Sequence, residues 1–445
     1  MATTRGPRLV LSFRRLKGVY DRSSDLFRQR GLVRSIGILA GGTVAAQAIA
    51  ALSMPVLTRL YSPGDFNLLA VYASVLGLIA VVSSLRFNIA IPLPEEPVEG
   101  LSLLVLSLIS TAGFACLTAL PVTFAPEATA RLLGQPALQP YLWMIPIGVG
   151  LASSYDSLQY WASRKRQFAL ISRTRMVRAV GGAGTQLAIG FIQPSPFGLI
   201  LGHMIYGGLG VIDLARALWR DDRGLLWTIS WTRLRTAVRA YRKQPFFSVP
   251  EALFNTLGLE LAIIIIAGSA VGPEAGFLML AMRVMGLPMA LIGSSVAQVF
   301  LVEAPMRARA GTLSPFTRRT MRVLLKTGAP PLILAGALSP WLYPLIFGAA
   351  WARAGVIVAW LTPMFILQFI ASPVSMMLLV TGRVAMIMWL QAAGAILRLG
   401  AVAIAVWAAP SHLTEAFSIS SAAFYLLYLA VIYVLTRDEG RAEST

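Results

Sequence analysis

Three arginines, Arg86, Arg283 and Arg398, sit inside long apolar runs where a permanent charge is expensive. A guanidinium at the centre of a bilayer costs about 2.5 to 3.5 kcal/mol on insertion scales, so such residues face a bundle interior or a watery cavity. The chemistry open to a fixed cation there is anion binding, and a planar guanidinium grips a diphosphate through two parallel hydrogen bonds. Arg86 lies in VVSSLRFNIAIPLP, eight residues before Pro94. That is about 12 Å of helix rise, so it either snorkels to headgroups or reaches into a cavity. Arg398, in QAAGAILRLGAVAIAV, has the same two readings and no acid at helical spacing.

Arg283 has a companion. Glu260 and Arg283 flank a turn near Gly272 at nearly equal distance, so an antiparallel hairpin predicts that they meet. Such a pair either holds two helices in register or serves as a coupling site whose carboxylate changes partner during a transport cycle. Gln47 and Asn255, each early in a first helix of its half, are candidate sugar contacts. Gln298, Gln368 and Gln391 have the same chemistry, but amides also cross-link helices. Asp156, Asp213 and Glu251 sit near basic residues that explain them as local ion pairs, and His203 reads as a packed residue. No phosphate-binding loop, metal-ligand cluster or nucleophile elbow occurs, so no catalytic residue, metal or cofactor is expected.

The elements that position these residues are legible from composition. The chain has 445 residues, 57% hydrophobic and 13% charged, which excludes an ordinary soluble domain. Splitting at Pro, Gly and charge clusters predicts twelve helices near 32–58, 66–92, 100–122, 138–160, 174–193, 197–219, 247–270, 274–302, 323–347, 354–380, 384–408 and 413–436. The fold class is thus an all-α polytopic membrane protein. Of 38 Lys and Arg, 32 fall in the N-terminal tail, segments 161–178, 216–243 and 307–326, and at Arg383, Arg437 and Arg441. Arg59, Arg131 and Arg353 lie on the other side. The positive-inside rule then makes both termini cytoplasmic, and the net charge of +19 fits anionic lipid as a partner and needs no nucleic acid.

The organisation expected is a basic tail (1–31), a six-helix lobe (32–219), a basic amphipathic linker (220–246), a second six-helix lobe (247–436) and a short tail (437–445). In the linker Trp231, Leu234, Val238 and Tyr241 share a face among arginines, the pattern of a helix lying on an anionic surface. Leu9, Phe13, Leu16 and Tyr20 repeat it more weakly. The halves also share a faint likeness: YSPGDF opens one second helix and VGPEAGF the other. Repeated lobes are how many transporters frame a substrate path. Pro55, Pro146, Pro288, Pro363 and Pro373 are candidate hinges or static kinks.

The stretch 39–94 resembles the opening of the polysaccharide-transporter branch of the MOP exporter superfamily, the Wzx-type O-antigen flippases. The similar text is Pro55, Leu57 to Pro63, Asp65 and Phe66, with Gly64 and Asn67 as departures. It continues with Ser84 to Arg86, Phe87, Ala90, Ile91, Leu93 and Pro94, with Asn88 where an acid is common. Trp161, Arg164, Lys165, Arg166 and Phe168 match further, as does AMRVMGLPMALIGSSVAQVFLVEAP (281–305). The resemblance implies two MATE-like lobes around a central cavity, in a bacterial inner membrane. It also implies alternating access that carries an undecaprenyl-diphosphate-linked oligosaccharide to the periplasmic leaflet, alongside polysaccharide polymerase and assembly proteins. Lacking an ATPase, the cycle would draw on an ion or proton gradient. The competing readings are a multidrug antiporter of the same fold, which wants carboxylates in its cavity, and a glycan polymerase or glycosyltransferase, which wants a large external loop. The longest such loop here is 123–137.

Overall fold

The computed structural model describes residue 37 and residues 41–242, 244–289 and 294–442. The amphipathic pattern of the N-terminal tail and the side chain of Gln298 lie outside the described residues. Among the described residues the chain is helix after helix. In the first half these are α1 (Gly41–Leu60), α2 (Pro63–Ser83), α3 (Pro97–Phe124), α4 (Met144–Arg164), α5 (Phe168–Ile192), α6 (Pro196–Gly208) and α7 (Val211–Leu226). A short α8 (Trp231–Ala240) follows. The second half holds α9 (Val249–Ser269), α10 (Glu274–Pro288), α11 (Ser294–Arg309), α12 (Leu313–Phe347), α13 (Ala352–Val374), α14 (Val384–Ala408) and α15 (Leu413–Ala442).

Nine helices among the described residues are long and apolar enough to cross a membrane. The chain is therefore a multi-pass membrane protein. The remaining expected spans are also helical: α4, α5, and the α10–α11 pair. The first two carry Asp156 and Arg173, Arg175 and Arg178 within them, which dilutes their apolarity. The helix expected to end at 436 continues through Ala442.

Within the first half α5 packs on α6, and α4 on α2, α3 and α6; within the second α13 packs on α12 and α15, and α14 on α9 and α15. Across the halves α2 is the main bridge, lying along α9 and α10. Local chemistry explains its start. Ser62 accepts from the Asp65 amide while Asp65 accepts from the Ser62 amide, a reciprocal cap just after Tyr61.

Two departures from regular helix matter. The helix expected over 66–92 stops at Ser83, and Leu85 (φ 48°) and Arg86 (φ 59°) are left-handed before a one-turn helix at Phe87–Ala90. Side chains resist that conformation at about 1 to 2 kcal/mol each. The loop that follows is held by Arg164, whose guanidinium donates to the carbonyls of Ile91, Pro94 and Glu95. Second, α9 contains a π-turn at Leu257–Leu261, and another precedes it at Gln244–Ser248. Pro146, read as a hinge candidate, falls in the first turn of α4, where no backbone donor is needed.

Candidate functional site

A cavity of about 470 Å³ lies between the halves, walled by α1, α5, α6, α10 and the end of α12. Its polar lining is Gln47 and Ser53 from α1, Gln186 from α5, His203 and Tyr206 from α6, and Arg283 from α10. Small residues make the room: Ala46, Ala50, Ala51, Ala179, Gly182, Ala183 and Gly202 leave the facing helices without bulk. Gln186 is spent on structure, its side-chain amide donating to the Leu199 carbonyl at 3.0 Å while its main-chain carbonyl accepts from the Tyr61 hydroxyl at 2.6 Å. His203 stands edge-on to the Tyr72 ring, 6.0 Å between centroids.

Behind Tyr206 stands Arg178. Its guanidinium carbon lies 3.7 Å from the centre of the Tyr155 ring and 4.7 Å from that of Tyr206, and its Nε donates to the Tyr206 carbonyl. Cation–π contacts of this kind are worth up to about 2 kcal/mol when desolvated. Arg175, one turn earlier, donates to the Thr43 hydroxyl at 2.6 Å. Asp156 of α4 feels the charges of Arg178, Arg175 and Arg86 together. Positive charge therefore borders the cavity from both halves. Arg175 and Arg178 fall at the start of the helix expected over 174–193, yet the topology count groups them with the basic segment 161–178. The structure puts them a further turn or two into the helix, since α5 begins at Phe168, six residues before the expected start at 174.

Of the residues expected to line a site, the cavity gathers Gln47 and Arg283. The others stand elsewhere. Glu260 and Arg283 do not pair; the Glu260 carboxylate packs against Gly77 of α2, and no ion pair joins it to Arg283 among the described residues. The π-turn is the reason: its extra residue re-aims Glu260 away from the register that an unbroken α-helix would give. Asn255, four residues after Glu251, is exposed and outside the cavity lining. Arg86 is half-buried with a buried Nε that meets no acceptor, near enough to Asp156 and Glu251 for its charge to act on both. Gln368 and Gln391 likewise keep a buried Oε1 without a partner.

Arg398 is sealed. It is 0% exposed, its Nε donates to Ser421 at 3.2 Å, and Phe424 and Tyr425 lie 4.3 and 5.3 Å from the guanidinium carbon. Nη1 and Nη2 make no hydrogen bond. Gly258 in the π-turn leaves the space they occupy: a Cβ there would stand 3.2 Å from Nη1. Neither snorkelling nor cavity lining describes this residue.

One end of the cavity is closed by contacts between the halves. Trp351 donates from Nε1 to the Thr58 carbonyl at 2.9 Å and stacks edge-on against Phe66 and Phe277. The Gly276 amide donates to Asn67 Oδ1 at 3.2 Å, and Gln135 donates to the Ala267 carbonyl. The two turns with the faint internal likeness thus meet face to face. Asn67, a departure from the family text, is the residue that makes their hydrogen bond. Just beyond, Arg353 is bidentate to Glu274 at 2.9 and 3.1 Å and reaches Glu415 at 2.7 Å, tying α10, α13 and α15 together.

A family model described as polysaccharide biosynthesis protein matches residues 56–355. The chain belongs to that family. Solved structures agree on the fold. A eukaryotic MATE transporter superposes with a TM-score of 0.60 at 13% identity, covering 93% of this chain and 98% of the other. An inward-facing multidrug resistance MATE family transporter of the MOP superfamily gives 0.59 at 12% identity, with 89% and 96% covered. A MOP superfamily transporter from Pyrococcus furiosus, described as having a binding pocket of reverse polarity that suggests a different function, gives 0.56 at 13% identity, with 92% and 96% covered. No curated protein matches the sequence significantly. The family description names polysaccharide biosynthesis, the solved structures share the fold, and the cavity lies between the two halves of that fold.

Proposed function

We propose that this chain is a flippase for a polyprenyl-diphosphate-linked oligosaccharide, an O-antigen or exopolysaccharide repeat unit, moved from the cytoplasmic to the periplasmic leaflet. The observation that carries the reading is the charge of the cavity. Arg283 lines it and Arg178 backs its Tyr206 wall, while no carboxylate is among its described lining residues. A diphosphate is the headgroup such a lining favours. A cationic drug would want the opposite sign, and the nearby Asp156 is already faced by three arginines, which weighs against a multidrug antiporter.

Orientation follows the charges: the arginine-rich end is cytoplasmic and the closed end periplasmic in this reading. The two six-helix halves would then rock about α2, with the Trp351, Asn67 and Gln135 contacts parting as the cavity opens outward. An ion or proton gradient drives the cycle, and Glu260, set between the halves against Gly77 of α2, is the coupling carboxylate we favour. Expression in an inner-membrane mutant lacking its own O-antigen flippase tests the substrate class. Restored surface polysaccharide supports the reading; no restoration in any glycan background, with a rise in resistance to cationic drugs, sinks it.

A further inference from the structure

Helix α8 was expected to lie on the membrane with one undivided apolar face. Its face is in fact split. Leu234 and Ala237 are 7% and 3% exposed, and Ala237 joins the apolar cluster of Phe87, Leu104, Tyr155 and Trp161 in the first half. Tyr241 packs on the same cluster, and α8 lies against α3 near the end where α3 enters its apolar run; burial first, and then the Glu99 carboxylate in the first turn of α3, push the Tyr241 hydroxyl up from its ordinary value. The preceding α7 is anchored too: buried Asp222 accepts from Lys165 at 2.6 Å and from the Trp161 indole at 3.0 Å.

What the docking leaves uncovered is chemically specific. Trp231 is 75% and Val238 40% exposed, and Trp227, on the turn before α8, is 80% exposed. At 100° per residue Trp231 and Val238 share one line along α8, Arg235 and Arg239 fall on the side of that line away from the docked face, and Arg242 follows just past the end of the helix. All three arginines are exposed and none makes an ion pair among the described residues. Large aromatics beside unpaired guanidinium groups, at the depth where a helix enters the bilayer, fit lipid better than water: indole rings favour the headgroup level, and each cation near an anionic surface adds about 1 kcal/mol.

We propose that Trp227, Trp231, Val238, Arg235, Arg239 and Arg242 form a binding surface for anionic phospholipid headgroups of the leaflet at the arginine-rich end. The first half, through α8, is then pinned to that leaflet. The surface stands whether or not the cargo is a lipid-linked glycan.

The chain has a single cysteine, Cys116, so a Cys116→Ser background takes a nitroxide cleanly at Val238→Cys or, on the water side, Thr236→Cys. The protein is reconstituted in vesicles of phosphatidylcholine alone or with phosphatidylglycerol, and oxygen against nickel-chelate accessibility is read by electron paramagnetic resonance. The Val238 label should move several-fold toward oxygen when phosphatidylglycerol is present, and high salt should reverse the shift. Thr236 should stay nickel-accessible in both. The triple variant Arg235→Gln, Arg239→Gln, Arg242→Gln should lose the shift, and Arg233→Gln, on the opposite face, should keep it. A Val238 label that is water-exposed in both vesicles overturns the proposal. So does one equally lipid-exposed in both and indifferent to salt, because apolar contact alone would then explain it. If the triple variant does not purify as a monodisperse protein, the salt response of the otherwise unmodified label decides.

Discussion

Arg283 and Arg398 are the same residue in the same half of the molecule, each deep in a helix, and they live in opposite environments. Arg283 shares a cavity with Gln47, His203 and Tyr206, where water or an anion can complete its hydrogen bonds. Arg398 is enclosed by Ser421, Phe424 and Tyr425, with two nitrogens unpartnered. The difference lies in the helices around them. Gly276, Arg283 and Leu287 follow one another along the face of α10 that turns to the first half, where Gly276 touches α2 and the other two line open space. Arg398 faces the π-turn of α9 within its own half. A charge between two bodies can meet a ligand; a charge inside one body cannot.

The sharpest way to break this comparison is to remove the charge that faces the cavity. Arg283→Ala should lower glycan export by about ten- to a hundredfold, because a charge-assisted hydrogen bond is worth roughly 1.5 to 3 kcal/mol. Membrane abundance should stay unchanged, and Arg283→Lys should recover part of the loss; flipping of a fluorescent lipid-linked oligosaccharide in proteoliposomes measures it. Next in size is a wedge on the same face. A Cβ at Gly276 would already stand 2.3 Å from the Pro63 carbonyl and 2.8 Å from the Asn67 amide, so Gly276→Leu should force the closed end apart. A cysteine placed at Met54 in the cavity wall, in the Cys116→Ser background, should then react with an impermeant thiol reagent from that side. Unchanged labelling would mean that these turns do not form the seal.

Much of this was legible in the sequence, and the failures have physical causes. The helices follow from length and apolarity, and Arg283 and Gln47, which line the cavity, stand out in the sequence because intramembrane polarity carries information of its own. The likeness of the two turns was legible, but that they meet is a tertiary fact their repetition does not state. The break at Leu85 and Arg86 was hidden because left-handed backbone is advertised by Gly or Asn, and neither stands there. The π-turn at Leu257–Leu261 has no compositional mark either, so Glu260 was placed by α-helical arithmetic that the chain does not obey. Arg175 and Arg178 were lost to a topology count, which treats basic residues near a helix end as solvated; stacking on Tyr155 and Tyr206 is a tertiary fact.

Arg178 supplies the next, smaller test. Arg178→Lys keeps the charge but loses the planar stacking and the bond to the Tyr206 carbonyl, so export should fall about threefold, in line with a loss near 0.5 to 1 kcal/mol. A drop as large as that of Arg283→Ala would instead make Arg178 a direct contact for the cargo.

The last test should move export least. Two unpartnered nitrogens on Arg398 cost about 1 to 3 kcal/mol each, against about 2 kcal/mol returned by the aromatic faces. Arg398→Met removes the unmet donors, fills similar volume and keeps favourable contact with Phe424 and Tyr425. Export should be unchanged and thermal unfolding in detergent should shift upward. The opposite result, a less stable protein with failed export, would mean that Arg398 finds an acceptor in another state of the cycle. The π-turn of α9 beside it would then be the moving part, and the contrast with Arg283 would be one of timing, with both charges used but never in the same conformation.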